Sequence, residues 1–392
     1  MRILFVSSSY YPHINGVYYF VCRIGPMLQE SGHKVAVIAP SESLHFSNKQ
    51  IDSLHVYGVP SFSVVINPTI RLPVSFLLKS RIKQIIENFK PDIIHIQDHF
   101  PLSKAVVQVN KNLKIPIIGS NHFMPENFTV LLHNETLKKR LENYLWRGFS
   151  NVFNQVRLVT TPTETGVRLI QPRLKVDAIA ISSGINLKIF NPSGDTRKVK
   201  EKYSIPDKSI LLYAGRLDPE KHIEEILQAV AIVIKKIDFH FVVVGKGTSK
   251  TALEKLTRQL GITDKVIFTG FVPDEDLPSF YKLSRCFIIA SIAELLSLST
   301  LQAMASGLPI ISVNAGALSE LVKDKMNGYL YDEGDIPAIV QAIENIITYD
   351  HVYTKMSEKS LEYVQQHDIL KTLESFEKLY RDQIEKSGLI RL

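Results

Sequence analysis

Short apolar runs recur along the chain, with room for one helix between most neighbours. In the first half they cover residues 3–7, 34–39, 55–58, 93–97, 116–119 and 158–161. Around Ser182 the pattern gives way to ISSGINLKIFNPSGD, rich in Gly, Ser, Asn and Pro. The runs then restart at 211–214, 239–244, 266–269, 286–290 and 310–313. Short, near-continuous apolar strands alternating with helices predict parallel sheets covered on both faces. The polar stretch reads as a linker. The expectation is an α/β chain of two Rossmann-like domains, residues 1–182 and 183–366, with parallel sheets facing a central cleft. Residues 367–392 follow, and Ile369–Lys386 has the spacing of an amphipathic helix. No solenoid-type repeat is visible.

The most informative stretch is ELLSLSTLQAMASGLPII, residues 294–311. Glu294 opens it. Leu298, Leu301, Met304 and Ala305 follow at helical spacing, and Gly307-Leu308-Pro309 stops the helix before a strand. This puts a carboxylate near a helix N-terminus, where free N–H groups and the helix dipole favour anionic or hydroxyl-rich ligands. Gln302 lies about two turns further along. A second element is GRLDPEK, 215–221, which leaves a strand end just as a new helix begins. There Gly215, Arg216 and Lys221 make a diphosphate site from two cations and unpaired N–H groups. Gly245-Lys246-Gly247 forms another turn after a strand. Gly316 opens GALSELVKDKMNGYL, which suits a helix N-terminus followed by an Asn327-Gly328 turn. Asp274-Glu275-Asp276 follows no strand directly and reads as helix capping.

In the first half, Asn15-Gly16 suits close backbone approach at a helix start. Asp98 and His99 lie past a strand's C-terminal end, where α/β sheets bind ligands. His122 follows another strand, with Glu126 four residues on. His95, His99 and His122 raise zinc as a rival reading, but their spacing has no compact ligand pattern. Inward His95 reads as a packed core residue.

Taken in order, these motifs resemble the family-4 retaining glycosyltransferases of the GT-B fold, over nearly the whole chain. The resemblance rests on Gly215-Arg216-Leu217, Glu220-Lys221, Gly270-Phe271, Glu294 with Gln302 eight residues on, Gly316, Glu320 and Asn327-Gly328. It implies a donor-binding second domain and an acceptor-binding first domain. The C-terminal helix would return to the first domain. Arg216 and Lys221 would stabilise a leaving diphosphate, with no metal and no cofactor beyond the nucleotide sugar, expected to be a UDP-hexose. Glu294 would hold sugar hydroxyls, and His122 would sit beside the transferred sugar. Gly16, Gly245, Phe271, Val272, Leu298 and Gln302 would contact the donor, the last at ribose. Asp98, His99 and Glu126 would lie on the acceptor side. The chain departs from the family where Gln302 replaces a second Glu, where Leu295-Leu296-Ser297 replaces Gly-Phe-Gly, and where Asn15 replaces a first glycine. HFMPEN and IHIQDHFPL resemble glycolipid-synthesising members.

Composition narrows the partners. At 392 residues with 45% hydrophobic content, the chain can bury two full cores. Cys22 and Cys286 lie in apolar runs and read as thiols. No signal peptide or membrane-length apolar run is visible, so a cytoplasmic protein is expected, peripheral on the inner face of the membrane. Residues 1–190 hold 21 Lys and Arg against 11 Asp and Glu, and the remainder holds 25 against 28. This one-sided positive charge fits an anionic membrane surface and a lipid acceptor. Nucleic acid is not expected, since no nucleic-acid motif accompanies the charge. Residues 71–90 read as a basic amphipathic helix, for a lipid surface or an ordinary core-facing position. Lys138-Lys139-Arg140 with Trp146 and Arg147 would extend that surface. Three alternatives stay open: transfer to a soluble or polysaccharide acceptor, a non-catalytic sugar-nucleotide-binding partner, and a paired-Rossmann dehydrogenase. The last lacks Gly-x-Gly-x-x-Gly after the first strand.

Overall fold

The computed structural model of the chain describes residues 1–11, 15–63, 71–74, 78–122, 124 and 134–388. These residues divide into two units, Met1–Ser183 with Thr372–Leu392, and Gly184–Lys371.

The first unit is built on an eight-stranded sheet. Its spatial order is β10 (Ala178–Ala180), β9 (Val159–Thr161), β8 (Ile117–Ser120), β7 (Ile93–Ile96), β1 (Arg2–Val6), β2 (Lys34–Pro40), β4 (Leu54–Val59) and β3 (Ser47–Ile51). All neighbours are parallel except β3, which runs antiparallel to β4. The central strands are buried along their length, which is why their sequences are continuously apolar rather than alternating. A two-stranded ribbon, β5 (Ser61–Ser63) with β6 (Arg71–Pro73), lies beside it in sequence.

The second unit carries six parallel strands in the order β13 (Val266–Gly270), β12 (Phe239–Val244), β11 (Ser209–Ala214), β14 (Cys286–Ile289), β15 (Ile310–Val313) and β16 (Gly328–Tyr331). Leu211, Leu212, Val242, Val243, Phe287, Ile288, Ile310 and Ile311 are fully buried at its centre. Burying a Leu or Ile side chain contributes roughly 1.5–3 kcal/mol, so this layer dominates the unit's stability. Chain order reverses between β11 and β14 here, and between β1 and β7 in the first unit. Such switch points open a crevice at the carboxyl ends of the strands.

The helix Ile369–Lys386 starts in the last residues of the second unit, and from Thr372 onward it belongs to the first unit. Phe376 and Tyr380 are buried there. Phe376 packs on Phe20 at 5.3 Å between ring centroids, and the Tyr380 hydroxyl meets His95 Nδ1 at 2.8 Å. Both cysteines are free thiols.

Residues 71–90 do not form one helix. Arg71 lies in β6, and the helix is Leu78–Phe89. The Arg71 guanidinium is spent locally, donating to Ser41 O at 2.9 Å, Ser61 Oγ at 2.8 Å and Ser63 Oγ at 2.9 Å. On the helix, Ile82, Ile85 and Ile86 are buried, so its apolar face belongs to the core. Asp276 precedes the helix Leu277–Leu283 but makes no side-chain capping bond. Its carboxylate instead accepts from Lys202 Nζ at 2.6 Å and Tyr203 Oη at 2.9 Å.

Candidate functional site

The β11–β14 switch point gathers most of the charged candidates. Leaving β11, Gly215 donates its N–H to Val244 O at 3.0 Å. Tyr213 Oη braces the chain from below by donating to Arg216 O at 2.7 Å. Gly245 takes φ +143°, and a Cβ there would sit 1.8 Å from Gly215 O, so the loops after β11 and β12 meet this closely only because position 245 is glycine. Leu217 N to Lys246 O (2.9 Å) and Ser249 N to Leu217 O (2.8 Å) complete the seam.

Arg216 and Lys221 emerge from this seam already matched by carboxylates. The Arg216 guanidinium is held by Asp218 and by Glu220, the latter at 2.6 Å. Asp218 Oδ1 also accepts from Thr248 N and Thr248 Oγ1, both at 3.0 Å, so one carboxylate orients the arginine and anchors the β12 loop. Asp218 stands inside GRLDPEK, where charge alone does not mark it as a site residue; an acid two residues past the arginine is the available signal. Lys221 Nζ donates to Glu294 Oε1 at 2.7 Å and to Ser291 Oγ at 3.1 Å. This pair is mostly shielded from solvent, with side-chain exposures of 13% and 18%. The structure therefore joins the lysine to Glu294 across the switch point.

Glu294 lies in the loop between β14 and the helix Leu298–Ala305, not in the helix. Ser297 is the N-cap and accepts from Thr300 N at 3.2 Å. The Glu294 backbone is fixed by Ala317 N, which donates to Glu294 O at 3.0 Å, beside Gly316 at φ +55°. The helix after Gly316 is only Leu318–Leu321. Leu298 opens the Leu298–Ala305 helix, and Gln302 follows on it. Gln302 Oε1 accepts from the hydroxyl of buried Tyr281 at 2.8 Å. That turns its amide oxygen inward, where a carboxylate would have been desolvated. Phe271 stands 59% exposed past β13, while Val272 is buried.

In the first unit the corresponding loops hold amide, imidazole and aromatic groups and one buried carboxyl. Asn15 caps the helix Gly16–Glu30, its side chain accepting from Val17 N and Tyr18 N at 3.0 Å each. Two of the N–H groups expected to face a ligand at Gly16 are thus taken. Asp98 is buried and accepts four bonds: Ser8 N (2.6 Å), Ser8 Oγ, Phe100 N and Ser103 Oγ (each 2.9 Å). Burial raises its pKa, against the lowering by these donors. It ties the β1 loop to the β7 loop. His99 packs among Phe100, Phe149 and Phe153, and burial lowers its pKa to about 4. His122 Nε2 faces Gln97 Oε1 at 3.1 Å, with its pKa also lowered to about 4 by burial. It lines a small cavity with Asn121, Thr161 and Phe376. His95 is enclosed, with Nε2 on Ser120 Oγ at 2.7 Å and Nδ1 on Tyr380, and burial lowers its pKa. The three histidines thus have separate packing and hydrogen-bond duties. Glu126 lies outside the described residues.

Comparisons with known proteins bear on these sites. The model of Glycosyltransferase Family 4 matches residues 14–188, and that of Glycosyl transferases group 1 matches residues 195–363. Alpha-monoglucosyldiacylglycerol synthase of Streptococcus pneumoniae is 29% identical, over 92% of this chain and 82% of that protein. GDP-mannose-dependent alpha-mannosyltransferase of Corynebacterium glutamicum is 26% identical, over 91% and 83%. Among solved structures, Anabaena HepE in complex with UDP superposes with a TM-score of 0.78 at 17% identity, over 97% of this chain and all of that one.

Proposed function

We propose that this chain, which belongs to glycosyltransferase family 4 and has the GT-B fold, moves a hexose with retention from a nucleotide diphosphate sugar, a UDP-hexose, to a membrane lipid of the diacylglycerol type. The observation that carries the donor half is the meeting of Arg216, Lys221 and Glu294 at one switch point. A diphosphate arriving there draws Lys221 away from Glu294, since the ammonium then has a more highly charged partner. Glu294 is released to accept from sugar hydroxyls. Arg216, oriented by Asp218 and Glu220, meets the charge that develops on the leaving group. These two cations carry the neutralisation without a metal, and Asp276 is occupied by Lys202 and Tyr203. In this reading the neutral His122 imidazole serves as a hydrogen-bonding group for a sugar hydroxyl rather than as an attractor of phosphate. The solved complex of HepE with UDP supports a nucleotide donor.

The lipid acceptor is supported by the likeness to the pneumococcal glycolipid synthase and by the positive balance of residues 1–190. The helix Glu135–Phe153 exposes Leu137 and Tyr144 near Lys139, Arg140 and Arg147. Trp146 is buried under Arg173, at 4.2 Å, so it is not part of that surface. Among the described residues no helix is long and apolar enough to cross a membrane, and the reading is of a peripheral mode on the cytoplasmic face. The mannosyltransferase relative favours a second reading, the same transfer with another nucleotide sugar. The test is turnover of UDP-glucose, UDP-galactose and GDP-mannose with vesicles containing diacylglycerol and anionic lipid, with and without chelator. Glycolipid formed from a UDP-sugar, insensitive to chelator, is expected. Transfer only to soluble sugars, or loss of activity with chelator, overturns the respective part.

A further inference from the structure

Gln97 follows β7 directly, and His122 follows β8 by two residues. The two strands are parallel neighbours, with Ile96 opposite Gly119, so the loops after them leave the same edge of the sheet. Gln97 is buried, and its N–H donates to Val6 O on β1 at 2.8 Å. Its Oε1 lies 3.1 Å from His122 Nε2. An amide oxygen only accepts, so this contact places a proton on Nε2. Burial lowers the His122 pKa to about 4, which keeps the ring neutral near pH 7 with a single proton to place. Nδ1 then holds a lone pair, and it has no hydrogen-bond partner among the described residues. His95, the titratable neighbour, differs: both its ring nitrogens are taken, by Tyr380 and Ser120. Gln97 Nε2 is buried without a partner among the described residues, so His122 is what orients this amide there.

We propose that Gln97 is a positioning residue that fixes the tautomer of His122, so that His122 meets the substrate through Nδ1 as a hydrogen-bond acceptor with no proton of its own to give. This rests on the reading of the chain as a sugar transferase. An acceptor at this place selects a group that donates, such as a sugar hydroxyl. It turns away ionised phosphate oxygens, which have no proton to offer, and it cannot protonate a leaving group. With the amide nitrogen facing the ring instead, the proton would move to Nδ1 and His122 would become a donor.

The experiment is two-bond proton–nitrogen NMR correlation on the full chain with isotope-labelled histidine. His122 is assigned from the signal lost in His122→Asn. Turnover of UDP-glucose with vesicles containing diacylglycerol and anionic lipid is measured beside it. Native His122 is expected to show a protonated Nε2 and a bare Nδ1. Gln97→Met removes the acceptor at similar volume. It is expected to give a mixture of both tautomers and about tenfold lower turnover, the loss for one hydrogen bond of ordinary strength. Gln97→Glu keeps an oxygen facing the ring and serves where Gln97→Met does not fold. It is expected to keep the proton on Nε2 at about pH 8 and to favour the imidazolium as pH falls, so its turnover drops more steeply than that of the native chain towards about pH 6. A proton on Nδ1 of native His122, a tautomer unchanged in Gln97→Met, or native turnover in that variant overturns the inference and leaves the transferase reading standing. So does a Gln97→Glu pH profile that matches the native one. The expected tautomers without transfer of any sugar overturn the transferase reading and with it the role of Nδ1.

Discussion

Both units place a carboxylate just past the strand that flanks their first strand, and both hand it a donor from across the switch point. In the first unit Asp98, after β7, takes Ser8 N and Ser8 Oγ from the β1 loop. In the second, Glu294, after β14, takes Lys221 Nζ from the β11 side. The construction is the same and the chemistry differs. Asp98 is buried and saturated by four neutral donors, so nothing outside the protein has reason to displace them. Glu294 holds one exchangeable cation and keeps partial access to solvent. One arrangement fixes two loops; the other keeps two opposite charges ready for a ligand.

The sharpest way to break this contrast is at Lys221. Lys221→Ala is expected to lower sugar-transfer turnover by about 10²–10³-fold, the usual loss for one donor to developing charge. Its denaturation midpoint should move little, because the remaining Glu294 can hydrate. A variant that keeps full turnover would reduce Lys221–Glu294 to a structural pair like Asp98–Ser8. Asp98→Ala should do the reverse. It strands buried donors and is expected to destabilise the first unit by about 3 kcal/mol, read by urea denaturation. If unfolding is unchanged and only transfer falls, Asp98 belongs with the ligand groups instead.

Over a mild pH range, the smallest effect concerns protons. His99 and His122 are held near pKa 4 by burial, below the ordinary 6.5. The unfolded chain therefore binds more protons between those values, and stability falls as pH drops through that window. From pH 7.5 to 6 the loss should be about 1 kcal/mol per histidine, and it should stop growing below about pH 4. His99→Phe should flatten part of that slope in denaturation series across the window. An unchanged slope would mean that His99 is not held neutral.

The sheets were largely legible because their strands are apolar on both faces. Runs 239–244 and 310–313 coincide with β12 and β15. What escaped notice lacks that signature. β3, SNKQI, is a polar edge strand held by main-chain pairing with β4. β16 begins at Gly328, which reads as a turn; yet a Cβ there would lie 1.9 Å from Ile310 O, so glycine is what lets the strand dock. β10 is too short to show a period. At the site, residue types were visible but pairings were not. Charge alone marks Arg216, Lys221 and Glu294 as ligands for an anion or a sugar. Only the fold shows that Lys221 and Glu294 satisfy one another and that Arg216 is satisfied by Asp218 and Glu220. Gln302 is a similar case, since Tyr281, twenty-one residues earlier, decides where its amide oxygen points.

The position of the helix Ile369–Lys386 has a consequence for synthesis. The second unit is continuous in sequence and can close as soon as it is made. The first unit cannot, because Phe376 and Tyr380 fill space beside Phe20 and His95. At typical elongation rates of about 5–20 residues per second, the earliest strands wait roughly 20–80 seconds for their final wall. During that interval a nascent chain leaves His95 and Phe20 without their final cover.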